Sequence, residues 1–436
     1  MYLRNSNKLK KICLVVLIMS IFFPYSFQGI KIVGITLTTQ RLVMPIILAY
    51  CLYIKKGIFL YKKNSTLYQW ITFLLLWITL GIVLMGICDY VSIKSGIKEI
   101  LSLVYGVLLL FTLSILIENK EELEFSFKAV RIICIFLVLF GIIEILTGFH
   151  FVNSIYYNEE AIYLKYISRG LEIDNHMATG FLYGVNDFAS FLGVFSVFLF
   201  AKNKTISDKI LNLIALALLI VILVVNDANI VLTAVVLGET TYVYLNMIKS
   251  NLKKKICIAF GVIMILTTVV CLYCTLGGKI ALGDGVLANQ FENYQLNQGS
   301  LFARITIYKD AFEASLKNYF MGYGPASFVN YFSQNKSKSG LVNPHALVFE
   351  ILFQYGGLVL LVFCGLVYAL IKKNLVFYIK NREKEYLIIL ISLIIYILVS
   401  FSPSSFLTYA YQWIPISLAS LNISLESKEK GVISGN

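Results

Sequence analysis

The chain has 436 residues, of which 58% are hydrophobic and only 14% charged. A soluble globular chain carries about 25% charged residues, and the deficit here lies in long uncharged runs, which excludes a soluble fold. The formal net charge of +13 would suit nucleic acid, but the basic residues sit in short loops between apolar runs, the pattern of a membrane protein's cytoplasmic face.

The N-terminal MYLRNSNKLKK is basic, and the apolar run after it has no small-residue cleavage site, so it reads as a retained first span. Further runs of spanning length lie at about 32–54, 67–87, 98–117, 130–149, 180–201, 210–226, 228–248, 256–276, 346–371, 386–401 and 403–422. They predict an all-α polytopic membrane protein of twelve helices, one membrane domain over 1–436, with tight turns at 226–229 and 402–404. Most Lys and Arg fall in alternate loops, which places both termini in the cytoplasm and leaves two long segments outside, 151–179 and 277–345. The eight cysteines lie mostly within apolar runs, and the C-x-x-C of Cys271 and Cys274 reads as packing rather than metal or redox chemistry.

The second outer segment carries the polar chemistry. Leu301, Ile305, Tyr308, Phe312, Leu316 and Tyr319 recur at helical spacing and predict an amphipathic helix, lying on the membrane surface or capping the bundle. Lys309, Glu313 and Lys317 stand at i, i+4 on its other side. A Gly-x-Gly turn at Gly322 and Gly324 ends it. Asn343 suits an N-cap and Pro344 a first helical position, which puts His345 in the first turn of the next span. There the helix dipole disfavours imidazolium, and a neutral imidazole suits a general base; a histidine that satisfies a loop is the alternative. Tyr294, Tyr308, Tyr319, Tyr323 and Tyr331 offer faces for sugar stacking or interfacial anchoring. Clustered acidic metal ligands are missing from these loops.

Arg304 leading a helix, MGYGPASF with Gly322, Gly324 and Phe328, and PHALVFEILFQYGG with His345, Glu350 and Gly356 together resemble the O-antigen ligase and polysaccharide polymerase superfamily of bacterial membrane glycosyltransferases. A weaker match is RGLEIDNHMATGFLYGVNDFASFLG, through Arg169, Gly180, Phe181 and Asn186. Ala346 stands where the family commonly has Asn, and the turn NDANIVL lacks the family's arginine; Arg169 and Arg41 are candidates to replace it.

The resemblance implies a GT-C-like, metal-independent transferase with no cofactor, acting on an undecaprenyl-pyrophosphate-linked oligosaccharide at the outer face of a bacterial cytoplasmic membrane. It implies His345 and Arg304 as catalytic residues. Arg169, Asn186, Asp187, Gly322, Tyr323, Gly324 and Glu350 would bind substrate. A planar, always-charged guanidinium matches pyrophosphate oxygens. The leading expectation is a polymerase of lipid-linked repeats for a capsule, exopolysaccharide or O-antigen, with flippase and chain-length regulator partners. A ligase to a lipid A core or protein shares the motifs. A flippase ranks lower, because Arg41 and Glu144 are its main intramembrane ionisable groups.

Overall fold

A computed structural model describes residues 2–24, 31–32, 35–36, 38–54, 66–151, 154–158, 162, 175–202, 205–247, 300–335, 337, 342–403, 405, 407 and 409–433. These residues are overwhelmingly helical. The helices are α1 (Tyr2–Phe22), α2 (Thr39–Ile54), α3 (Thr66–Ile87), α4 (Ile93–Leu116), α5 (Lys120–Thr147) and α6 (Val185–Phe195), which tightens into a 3-10 turn over Ser196–Ala201. They continue with α7 (Ile206–Val225), α8 (Asn229–Met247), α9 (Ser300–Lys317), α10 (Ser327–Asn335), α11 (Leu347–Tyr355), α12 (Gly357–Asn381), α13 (Lys384–Val399) and α14 (Trp413–Ile433). Five of them, α3, α4, α5, α7 and α12, are each long and apolar enough to cross a bilayer.

The bundle is organised around α13. Its residues are apolar on every side and mostly buried from Tyr386 to Val399, with only Ile394, Ile397 and Leu398 half-buried, as a helix inside a bundle requires. It packs against α6, α8, α12 and α14, while α3 lies on α4, and α5 on α7 and the 3-10 turn. Close approach is set by small residues: a Cβ on Gly106 would stand 2.9 Å from the Trp413 ring, and one on Gly238 2.5 Å from Ile395.

Ion pairs gather where the sequence predicts one face. Lys10 meets Glu118 at 2.6 Å, Lys11 meets Glu121 at 3.0 Å, Lys120 meets Glu383 at 3.1 Å and Lys202 meets Asp208 at 3.2 Å. Lys384 also donates to the Ala201 carbonyl at 2.8 Å, so the start of α1 and the α4–α5, α6–α7 and α12–α13 turns share one end of the bundle. The far end of α13, roughly 24 Å away for 16 residues, meets α9 and α11.

Several expectations change. The run at 32–54 does not start as a helix: Lys31–Ile32 and Ile35–Thr36 form a small antiparallel hairpin, and α2 begins only at Thr39. The run at 346–371 is two helices, broken at Gly356, whose φ of 91° and ψ of 172° only glycine readily adopts. The Asn343–Pro344 cap is not formed; α11 begins at Leu347 with Ala346 as N-cap, so His345 precedes the helix. The amphipathic helix exists as α9, but the face on the protein is formed by Ile307, Ala311 and Ala314, while Ile305, Phe312, Leu316 and Tyr319 are exposed. The turn at 226–229 is present, with Asp227 in the left-handed region. The span at 256–276, Cys271, Cys274 and Tyr294 lie outside the described residues.

Candidate active site

The second outer segment builds a small core of its own. Ile307, Ala311 and Ala314 of α9 close on Phe328 and Phe332 of α10 and Phe353 of α11. The tyrosines expected as sugar platforms are mostly part of it. Tyr308 stacks on Phe349 at 4.5 Å, and Tyr323 stacks on Phe353 at 4.6 Å and touches Tyr331 at 4.9 Å. Tyr319 alone of the described set is largely exposed.

The Gly-x-Gly turn caps a helix. The Tyr323 and Gly324 N–H groups donate to the Phe353 and Gln354 carbonyls at 2.9 and 2.8 Å, and the Gly357 N–H donates to Phe320 at 2.9 Å. The first two bonds satisfy carbonyls that the end of α11 leaves free, and the third ties the residue after Gly356 back to the turn. Gly322, at φ 89°, lies so close that a Cβ would stand 2.7 Å from the Gln354 carbonyl oxygen. The backbone of Gly322, Tyr323 and Gly324 is thus engaged with α11.

His345 and Arg304 come together at the chain that leaves α13. Arg304, in the first turns of α9, donates from Nη1 to the Phe401 carbonyl at 3.2 Å. His345 hydrogen-bonds the Ser402 backbone. Its own carbonyl accepts from the Tyr308 hydroxyl at 2.8 Å. His345 has φ 49°, a left-handed conformation that a non-glycine residue holds only where its surroundings enforce it. Its Nδ1 is buried and has no partner among the described residues.

Burial, and after it the Arg304 charge, pushes the His345 pKa down to about 4 against a raising contribution from the Ser402 bond. Burial likewise lowers the Arg304 pKa, and it raises that of Tyr308 to about 12. At neutral pH the site therefore holds a guanidinium, a neutral imidazole with an unspent lone pair, and a neutral phenol.

Glu350, in the first turn of α11, is 1% exposed. It accepts from the Ser405 hydroxyl and from the Leu407 N–H at 3.2 Å. The Glu99 carboxylate of α4 accepts from the Tyr355 hydroxyl at 2.6 Å and the Ala326 N–H at 3.1 Å, fastening the capping turn to the bundle. Glu99 was legible as a lone carboxylate at the start of an apolar run. The Phe401 and Ser402 backbone groups carry no such signal.

The weaker motif lies alongside. Asn186 and Asp187 open α6, and Asp187 acts electrostatically on Tyr411, just beyond the same connecting chain. Arg169 lies outside the described residues. Glu144 accepts from the Thr179 and Gly180 N–H groups at 3.0 and 2.6 Å, and pairs with His150 at 3.1 Å. It fastens a loop rather than standing alone in the bundle. In the arginine-less turn, Asn226 clasps Ala178 with two bonds of 2.8 Å, donating to its carbonyl and accepting from its N–H.

Two comparisons bear on this arrangement. Residues 187–364 match the family model described as O-antigen ligase, an interval that contains Arg304, the capping turn, His345 and Glu350. The teichuronic acid biosynthesis protein TuaE of Bacillus subtilis (strain 168) is 22% identical over 439 residues, covering 95% of this chain and 84% of that protein.

Proposed function

Given that the chain belongs to the O-antigen ligase and polysaccharide polymerase superfamily, we propose that it is a membrane glycosyltransferase that polymerises undecaprenyl-pyrophosphate-linked oligosaccharide repeats into a surface polysaccharide. The single observation that carries this reading is the pairing of Arg304 with a neutral His345 whose Nδ1 has no partner among the described residues, at one end of the bundle. The similarity to a protein named for teichuronic acid biosynthesis supports a polysaccharide product.

In the proposed reaction an acceptor sugar hydroxyl attacks the anomeric carbon of the donor. The bond from that carbon to the pyrophosphate oxygen breaks, and the lipid pyrophosphate leaves with the electron pair. His345 takes the hydroxyl proton. Arg304 holds pyrophosphate oxygens through its planar fork and offsets the charge that develops on them. Arg304 is also a cause of the low His345 pKa, so an anion bound on the arginine makes the histidine more basic when the donor is present. The site faces the extracytoplasmic side in this reading, with both termini in the cytoplasm.

The family model's description favours a second reading, a ligase that moves a finished glycan to another acceptor. Purified protein in liposomes, given lipid-linked repeats alone, separates the two. A ladder of products one repeat apart supports the polymerase. Transfer seen only when a distinct acceptor is added supports the ligase, and no transfer under either condition contradicts both.

A further inference from the structure

The chain that connects α13 to α14 is stitched to α11 at two places, and the groups of the candidate site hang between the stitches. At one end the Leu347 N–H donates to the Ser400 carbonyl at 3.1 Å. At the other, both Glu350 oxygens are used, one by the Ser405 hydroxyl and one by the Leu407 N–H. Leu407 is itself fixed, because its carbonyl accepts from Ser102 of α4 at 2.6 Å and from Gln412 at 3.1 Å. Between these anchors lie Phe401, whose carbonyl holds Arg304, and Ser402, whose backbone holds His345.

Glu350 is 1% exposed, and each of its carboxylate oxygens accepts a hydrogen bond from this chain segment. A buried carboxylate is retained only when its oxygens are satisfied, and removing it withdraws an acceptor from the Ser405 hydroxyl and from the Leu407 N–H. His345 also needs an enforcing frame, since its backbone sits in the left-handed region. We infer that Glu350 is a positioning residue: it pins the 400–407 connection against α11 and so sets the aim of Arg304 and His345, without touching substrate. This inference rests on the proposed glycosyltransferase reading and deepens it.

The test is steady-state elongation with lipid-linked repeats, comparing Glu350→Ala, Glu350→Gln and Ser405→Ala at matched levels of inserted protein. A displacement of catalytic groups of about 1 Å can cost on the order of 10²-fold in rate. Glu350→Ala should lose that much in kcat with little change in KM. Glu350→Gln keeps a carbonyl acceptor for the connection and should recover most of the loss, and Ser405→Ala, which removes one stitch, should lie between. In an Arg304→Lys background, Glu350→Ala should cost markedly less than alone, because part of what it misplaces is already gone. A Glu350→Gln variant as inactive as Glu350→Ala, or fully multiplicative losses with Arg304→Lys, would overturn the inference and mark Glu350 as reacting directly. Should Glu350→Ala not insert, the Gln and Ser405 variants decide alone. The catalytic reading fails separately, if His345→Ala elongates normally.

Discussion

At the scale of the residue, the proposed reaction depends on two side chains with different duties. Arg304 is expected to work as a fork rather than as a point charge, so Arg304→Lys should insert normally yet lose about 10- to 100-fold in kcat/KM. Lysine at wild-type rate would remove the bidentate role. His345 makes a prediction about pH. Its pKa is lowered to about 4 in the free protein, so it is neutral and able to accept a proton above that pH and is lost as a base as pH falls through it. kcat/KM should be flat from pH 6 to 8 and fall only near pH 4, while the limb for kcat should sit higher, because donor pyrophosphate offsets Arg304. An acid limb of kcat/KM near the ordinary histidine value would contradict the burial argument. The pairing of these two residues was legible in the sequence as motif membership. Their meeting place was not, since it is made of the Phe401 and Ser402 backbone, which every residue possesses.

At the scale of the element, the glycine-rich turn is a helix cap, and its substitution should read out as stability. Gly322→Ala places a Cβ 2.7 Å from the Gln354 carbonyl oxygen at φ 89°, and the backbone strain alone costs on the order of 1–3 kcal/mol. Its thermal midpoint in detergent should fall clearly. Gly365→Ala, inside α12 with nothing near its Cβ, should hold or raise the midpoint, because alanine is the better helix former. Equal midpoints for the two variants would argue against the cap. Hydropathy located most helices because a spanning run needs only length and apolarity. It found the apolar stripe of α9 but not which surface it meets: Ile305, Phe312 and Leu316 are exposed, while Ile307, Ala311 and Ala314 pack on the protein, and the alanines that allow close packing carry little hydrophobic signal. The break of the later run at Gly356 was hidden by unbroken apolarity, although the paired Gly356 and Gly357 were its mark. His345 lost its expected helical position for a related reason: the Asn343–Pro344 signal describes a cap, but the helix begins three residues after Pro344.

At the scale of the whole molecule, the ion pairs at one end and the Arg304–His345 pair at the other give the bundle a polarity. In the proposed orientation, which rests on the positive-inside pattern, the ion-paired end lies in the cytoplasm. A single cysteine at Gln334, an exposed position on α10, should react with an impermeant thiol reagent on intact cells. Reaction only after lysis would reverse the orientation and remove the site from the side where lipid-linked glycan is proposed to be joined. The central claim is that this end of the bundle performs glycosyl transfer with His345 as base. Its most direct measurement is product formation by purified wild-type and His345→Ala protein in liposomes charged with saturating lipid-linked repeats. The wild type should form ladders, and His345→Ala should be about 10²–10⁴-fold slower, not restored by more donor because the lost step is chemistry. Ladders at near wild-type rate from His345→Ala, at equal protein, would contradict it.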